Sequence, residues 1–248
     1  MAGMFDSVDH VVATLLGERF RATRATATAV YLAAKVGNPL FIQGPHGVGK
    51  SSLARAIAGV TRAGLLDLRT TAHPSATGEG GVPNLLLMDD LSGADETLLT
   101  LARELLAETP PTDASGPAQR PWVVLTSSAR DGSLAKLRER CRTVTLAYPP
   151  FEHEVSIVLE RVPGLSLGLA GEVCNVAARL RTGPFVRPPG VGESISWARA
   201  LVGLRCSRID AEMLDHSAAR LFSLPEDVKT FRAADPSTLV SRGLSCAA

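Results

Sequence analysis

The sequence predicts an α/β protein: a parallel five-stranded sheet sandwiched by helices, followed by a small all-helical domain. Three observations carry this. Five short apolar runs read as buried strands: "PLFIQ" (39–43), "LLDLR" (65–69), "NLLLM" (84–88), "WVVLTS" (122–127) and "TVTLA" (143–147). Helical spacing alternates with most of them, which implies parallel strands with helices on both faces. After "AYPPF" only helical patterns remain, so the α/β domain spans 1–149 and the helical domain 150–234.

Taken in order, N-terminal helices precede the first strand. Leu53, Ile57 and Val60 mark one face of the helix after it. Leu98, Leu101, Ala102 and Leu105 mark a helix after the third strand, with Ala94-Asp95 as its start signal. Leu134 and Leu137 mark another before the last strand. Two connections, 70–83 and 109–121, are rich in Pro, Gly, Ser and Thr and read as loops. In the second domain, Val155, Val158, Leu159 and Val162 mark a helix stopped by Pro163-Gly164. Leu169, Val173, Val176, Ala177 and Leu180 mark the next. A loop is expected over 182–192, a third helix on Ile195, Ala198 and Val202, and a fourth from Ala211 to Leu221. Residues 235–248 lack a core pattern and are expected to fray.

Composition excludes several classes. Apolar residues make up 45% of the 248, enough for a buried core. A net charge of +1 gives no global electrostatic case for nucleic acid or an anionic membrane. No stretch approaches the roughly 18 apolar residues of a membrane span. The N-terminus has no basic flank and is not read as a signal peptide. Cys141, Cys174, Cys206 and Cys246 lack any C-x-x-C spacing and read as reduced thiols of a cytoplasmic protein. His153, at a charged helix start, reads as a surface residue.

The chemistry begins at "GPHGVGKS", which fits G-x-x-x-x-G-K-[ST] between a strand and a helix. Gly44, Gly47 and Gly49 let the backbone curl so that its N–H groups converge on phosphate oxygens. Pro45, His46, Val48 and Ser52 complete the loop and its helix start; the His46 side chain has no required role. The helix N-terminus adds its dipole. Lys50 is expected to reach the β- and γ-phosphates, and the Ser51 hydroxyl to ligate magnesium. The expected cofactors are therefore ATP and Mg²⁺.

The run "NLLLMDD" ends a buried strand in two adjacent carboxylates, which need a cation beside them or raised pKa values. Asp89 is expected beside Ser51 as a second metal ligand, and Asp90 where an acid orients or deprotonates the attacking water. Thr126 and Ser128, at the end of the fourth strand, either face the γ-phosphate or cap the next helix. "KLRERCR" concentrates Lys136, Arg138, Arg140 and Arg142, either as a solvated helix end or as the source of an arginine that crosses to a neighbour's γ-phosphate. Arg19, Arg21 and Arg24 read as surface or subunit contact.

The order of phosphate loop, "LLLMDD", "VVLTSS", "LRERC" and helical lid resembles an AAA+ ATPase of the MoxR type, and most closely its CoxD-like branch. Three stretches carry the likeness: "RATRATATAVYLAAKVGNPLFIQGPHGVGKSSLARAIA", "LRERCRTVTLAYPPFEHEVSIVLERVPGL" and "RPPGVGESISWARALVGL". The resemblance implies a ring, usually a hexamer, with ATP at subunit interfaces. It implies a remodelling or metal-insertion role on a protein client, often with a partner carrying a von Willebrand factor A domain. It assigns Asp89 and Asp90 to the family's Asp-Glu pair, Ser128 to its first sensor, and Arg140 to its arginine finger. There are departures. Asp90 replaces Glu, Ser128 replaces Asn, Gly93 stands where Arg or Lys is common, and no second-sensor arginine precedes "SISWARAL". The segments before "NLLLMDD" and "WVVLTSS" are shorter than in relatives. These departures open a second reading, a degenerate subunit that binds ATP as a switch with little hydrolysis. A small-molecule kinase is disfavoured by the helical second domain, and a clamp-loader-like nucleic-acid motor by the near-neutral charge.

Overall fold

Five parallel strands form one sheet in the order β2-β3-β4-β1-β5 in the computed structural model. The structure describes residues 5–61, 65–67, 85–92, 94–107, 121–128 and 134–234. The expected loop 70–83, all but Pro121 of the expected loop 109–121, Gly93, Cys246 and the segment 235–248 lie outside the described residues.

The strands are β1 (Leu40–Gln43), β2 (Leu65–Asp67), β3 (Leu85–Met88), β4 (Trp122–Ser127) and β5 (Arg142–Thr145). Every residue of β3 and β4 is buried, as expected of parallel strands covered on both faces. The last strand begins one residue earlier than its apolar pattern and ends two earlier. Pairing with β1, in register Leu40↔Arg142 to Gln43↔Thr145, sets its limits in place of hydrophobicity.

Around the sheet lie α1 (Val8–Gly17), α2 (Arg24–Val36), α3 (Lys50–Thr61), α4 (Glu96–Leu105) and α5 (Ala135–Glu139). Local signals start them. Ser7, Thr23 and Asp95 are N-caps whose side chains accept the N–H of His10, Thr26 and Leu98. Asp95 thus takes the cap role that its sequence position indicated. Phe41, Met88, Leu91, Val123, Leu125, Leu134 and Leu137 build one core cluster with Ala102 of α4. On α3, Leu53 and Ile57 are fully buried, while Val60 is only half-buried. Arg19, Arg21 and Arg24 are exposed, and Arg24 pairs with Asp9 at 2.7 Å.

The chain divides into two compact units. The first holds the described residues up to Gly44 and those from Lys50 to Leu146. The second holds Pro45–Gly49 and the described residues from Ala147 on.

Helices of the second unit are α6 (Phe151–Arg161), α7 (Leu167–Leu180), α8 (Val191–Gly203), α9 (Ala211–Ser217) and α10 (Pro225–Ala233), with a 3-10 turn at Ala218–Arg220. The sequence pattern missed α10 and drew α9 too long. A nine-residue helix with one large buried apolar residue, Phe231, shows too little periodicity to be read. The stripe on α8 is also rotated. Ser194, Trp197, Ala198 and Leu201 are fully buried, whereas Ile195 and Val202 pack at the margin. A polar residue, Ser194, at the centre of the buried face hid the true period. Trp197 donates from Nε1 to Ser217 Oγ at 2.8 Å, joining α8 to α9.

Among the described residues no helix is long and apolar enough to cross a membrane, and no group of three or more His, Cys, Asp or Glu is placed to hold a metal. His153 is exposed.

Candidate nucleotide site

Strand direction assembles the site. In a parallel sheet every strand points the same way, so the segments leaving β1, β3 and β4 emerge at one edge. There Gly44 N–H donates to Ser127 O at 3.2 Å, tying the start of the phosphate loop to the end of β4. The loop's glycines take backbone angles that L-residues rarely adopt, with φ of 66° at Gly47 and 100° at Gly49.

Lys50 and Ser51 open α3. Lys50 is 7% exposed and donates from Nζ to Gly44 O at 2.9 Å. Burial pushes its pKa below the usual lysine value, and the carboxylates of Asp90 and Asp89 act against that shift. The Lys50 amine thus lies within electrostatic reach of both acids at the start of α3. Ser51 Oγ lies 2.7 Å from each Asp89 oxygen. Thr126 Oγ1 donates to Asp89 Oδ1 at 2.6 Å and accepts the N–H of Asp90 at 2.8 Å. One fully buried hydroxyl on β4 therefore holds both acids after β3.

Asp90 turns the chain. Its φ of 53° is left-handed, which Asp tolerates better than most residues. The next N–H, that of Leu91, then returns to Thr126 O at 2.8 Å. Beyond it Ser92 Oγ accepts the Ser128 N–H at 2.8 Å and stands 2.8 Å from Ser128 Oγ and 3.1 Å from Ser127 Oγ. Ser128 Oγ reaches Asp90 Oδ1 only at 3.4 Å.

The structure brings together Gly44, Lys50, Ser51, Asp89, Asp90 and Ser128. Ser52 is exposed, one step further along α3. Arg140 lies elsewhere. It is the exposed C-cap of α5, two residues before Arg142, which pairs with the first residue of β1. That is the opposite end of the sheet from Asp89. Arg138 reaches the other way, donating to Gln43 Oε1 at 3.3 Å. Two contributors escaped the sequence reading. Ser92 follows the acid pair with no motif to mark it. Tyr148 donates its hydroxyl to His46 O at 3.0 Å, a contact to backbone that no side-chain pattern announces. At His46 it is thus the carbonyl that takes part.

Ser51 and Asp89 offer a hydroxyl and a carboxylate side by side, hard oxygen donors of the type that suits Mg²⁺. The fold with this loop is the AAA+ P-loop fold. Solved structures like it include a proline-to-glycine mutant of Thermotoga maritima RuvB, with a TM-score of 0.54 and 15% identity over 86% of this chain and 72% of that one. Another is a lysine-to-arginine mutant of the same protein, with a TM-score of 0.52 and 15% identity over 86% and 71%. At that identity the likeness is one of fold. No family model matches the sequence, and no curated protein matches it.

Proposed function

We propose that the chain binds ATP with Mg²⁺ and hydrolyses it as a subunit of a ring, a MoxR-type remodelling ATPase acting on a protein client.

The observation that carries this reading is the meeting of Ser51 and Asp89 at 2.7 Å beside the buried Lys50, at the carboxyl edge of the sheet. Ser51 and Asp89 would hold the metal, which when bound offsets phosphate charge. Lys50 supplies positive charge to the β- and γ-phosphates. Asp90 accepts a proton from the attacking water as its oxygen bonds to the γ-phosphorus, and the bond to the ADP oxygen breaks with its electrons leaving on ADP. Ser128 bears on the same acid. Arg140, at the far end of its own sheet, serves a neighbouring copy's γ-phosphate, which makes a ring the working unit. A role in metalloenzyme maturation and a von Willebrand factor A partner follow from the family resemblance, and action in the cytoplasm from the reading of the scattered cysteines as reduced thiols.

A second reading is a subunit that binds ATP as a structural switch with little turnover. The 3.4 Å separation of Ser128 from Asp90 and the short Asp90 side chain favour it. ATP turnover against protein concentration separates the two, with Lys50→Ala and Arg140→Ala beside the wild type. Turnover that rises with concentration and falls at least about a hundredfold in both variants supports hydrolysis at an interface. Tight ATP binding with no turnover at any concentration supports the switch. No ATP binding by the wild type defeats both.

A further inference from the structure

The second unit contains a buried ion pair that the chemistry above does not use. Arg181, the C-cap of α7, donates from Nη1 and Nη2 to the two carboxylate oxygens of Glu154 at 2.6 and 2.7 Å. Its Nε donates to Pro189 O at 2.7 Å. The Arg181 and Glu154 side chains are 9% and 3% exposed. Ser194 Oγ lies 2.9 Å from Glu154 Oε1 and 3.1 Å from Gly190 O. A buried pair is by itself weak evidence for stability, but a guanidinium fixed by three bonds presents a fixed plane.

The guanidinium carbon lies over the Tyr148 ring, 4.1 Å from its centroid. The Tyr148 hydroxyl donates to His46 O at 3.0 Å. Burial raises the Tyr148 pKa, with Arg181 acting in the opposite direction, so the hydroxyl keeps its proton at neutral pH and remains a donor. A second tether runs from the Val191 N–H, at the start of α8, to Gly47 O at 3.0 Å. A Cβ on Gly190 would collide with the Gly47 backbone, so this approach requires glycine. Two successive loop carbonyls, His46 and Gly47, are thus held by groups of the same unit. In a trans peptide the carbonyl and the following N–H point opposite ways. Fixing these two carbonyls therefore also fixes the directions of the Gly47 and Val48 N–H groups, the kind of donors a phosphate-binding concavity uses.

We propose that Tyr148 and Arg181 are positioning residues for phosphate binding: Arg181, locked by Glu154, fixes the Tyr148 ring, and Tyr148 fixes the His46 peptide so that the next N–H faces phosphate. This rests on the ATP reading above.

The test measures MgATP binding by calorimetry on the full chain, with unfolding midpoints taken without nucleotide. Tyr148→Phe keeps the ring on the guanidinium and removes only the hydroxyl. It is expected to weaken the Kd by about three- to tenfold, at most the worth of one hydrogen bond, with the nucleotide-free midpoint lowered by no more than a few degrees. Arg181→Lys keeps the charge but loses the fork and the flat stacking face, and is expected to weaken the Kd at least as much. A wild-type Kd in Tyr148→Phe overturns the proposal and leaves the ATP reading standing. A wild-type Kd in Arg181→Lys alone overturns the role of Arg181. A wild-type protein that binds MgATP no better than Lys50→Ala overturns the ATP reading and the proposal together.

Discussion

Thr126 shows how much a single hydroxyl decides at this site. It is fully buried, donates to Asp89 and accepts from the Asp90 backbone. Thr126→Val keeps the shape and removes both bonds. Its expected cost is about 1–3 kcal/mol by urea denaturation, because a half-buried carboxylate loses a donor. Thr126→Ser, which keeps the hydroxyl, is expected to recover most of that loss. The sequence made Lys50, Ser51 and the acid pair legible, since the loop chemistry demands those residue types at that spacing. It left Thr126 ambiguous between two roles, and its contact with Asp89 depends on the register Leu87↔Val124 and Met88↔Leu125, which no local pattern sets.

At the scale of elements, α10 is the clearest difference between pattern and fold. Its Asp227 is buried and accepts the N–H groups of Val186 and Arg187 at 2.8 and 2.9 Å, tying it to the 182–190 loop. Phe231 packs in tilted contact with Phe222, their ring centroids 5.5 Å apart, and Phe222 in turn meets Phe185 at 4.9 Å. Phe231→Ala is expected to destabilise the second unit by about 3–5 kcal/mol, the cost of removing a buried aromatic side chain, measured by thermal unfolding. A value near zero would show α10 to be peripheral to that core. The aromatic residues carry the packing here, and their wide spacing in sequence is why a period-based reading passed over the helix. Strands were easier to read, because runs such as "LLLM" are apolar throughout and leave no period to mistake.

For the whole molecule, the position of Arg140 matters most. A residue at the opposite end of the sheet from Asp89 cannot complete its own site, so a ring predicts complementation. Lys50→Ala and Arg140→Ala, each inactive alone, are expected to regain roughly a quarter of wild-type turnover when mixed in equal amounts, as random pairing around a closed ring gives. Recovery of none would show that Arg140 acts within its own chain or not at all. The α/β class and the helical second unit were both legible from alternation and its end. Assembly entered only through the family resemblance, because it depends on which surface residues face a second copy.

The left-handed backbone at Asp90 also bears on how the protein can vary. Chemical similarity ranks Glu as the mildest replacement for Asp. Backbone preference ranks Asn and Gly ahead of it, because short polar residues and glycine enter that conformation at least cost, whereas most others pay about 1–2 kcal/mol. A saturation library at position 90 selected only for soluble, folded protein is expected to retain Asn and Gly above Glu, and Glu above Val and Ile. The site's second acid is therefore short where the backbone bends, and a longer acid would have to come with a different turn.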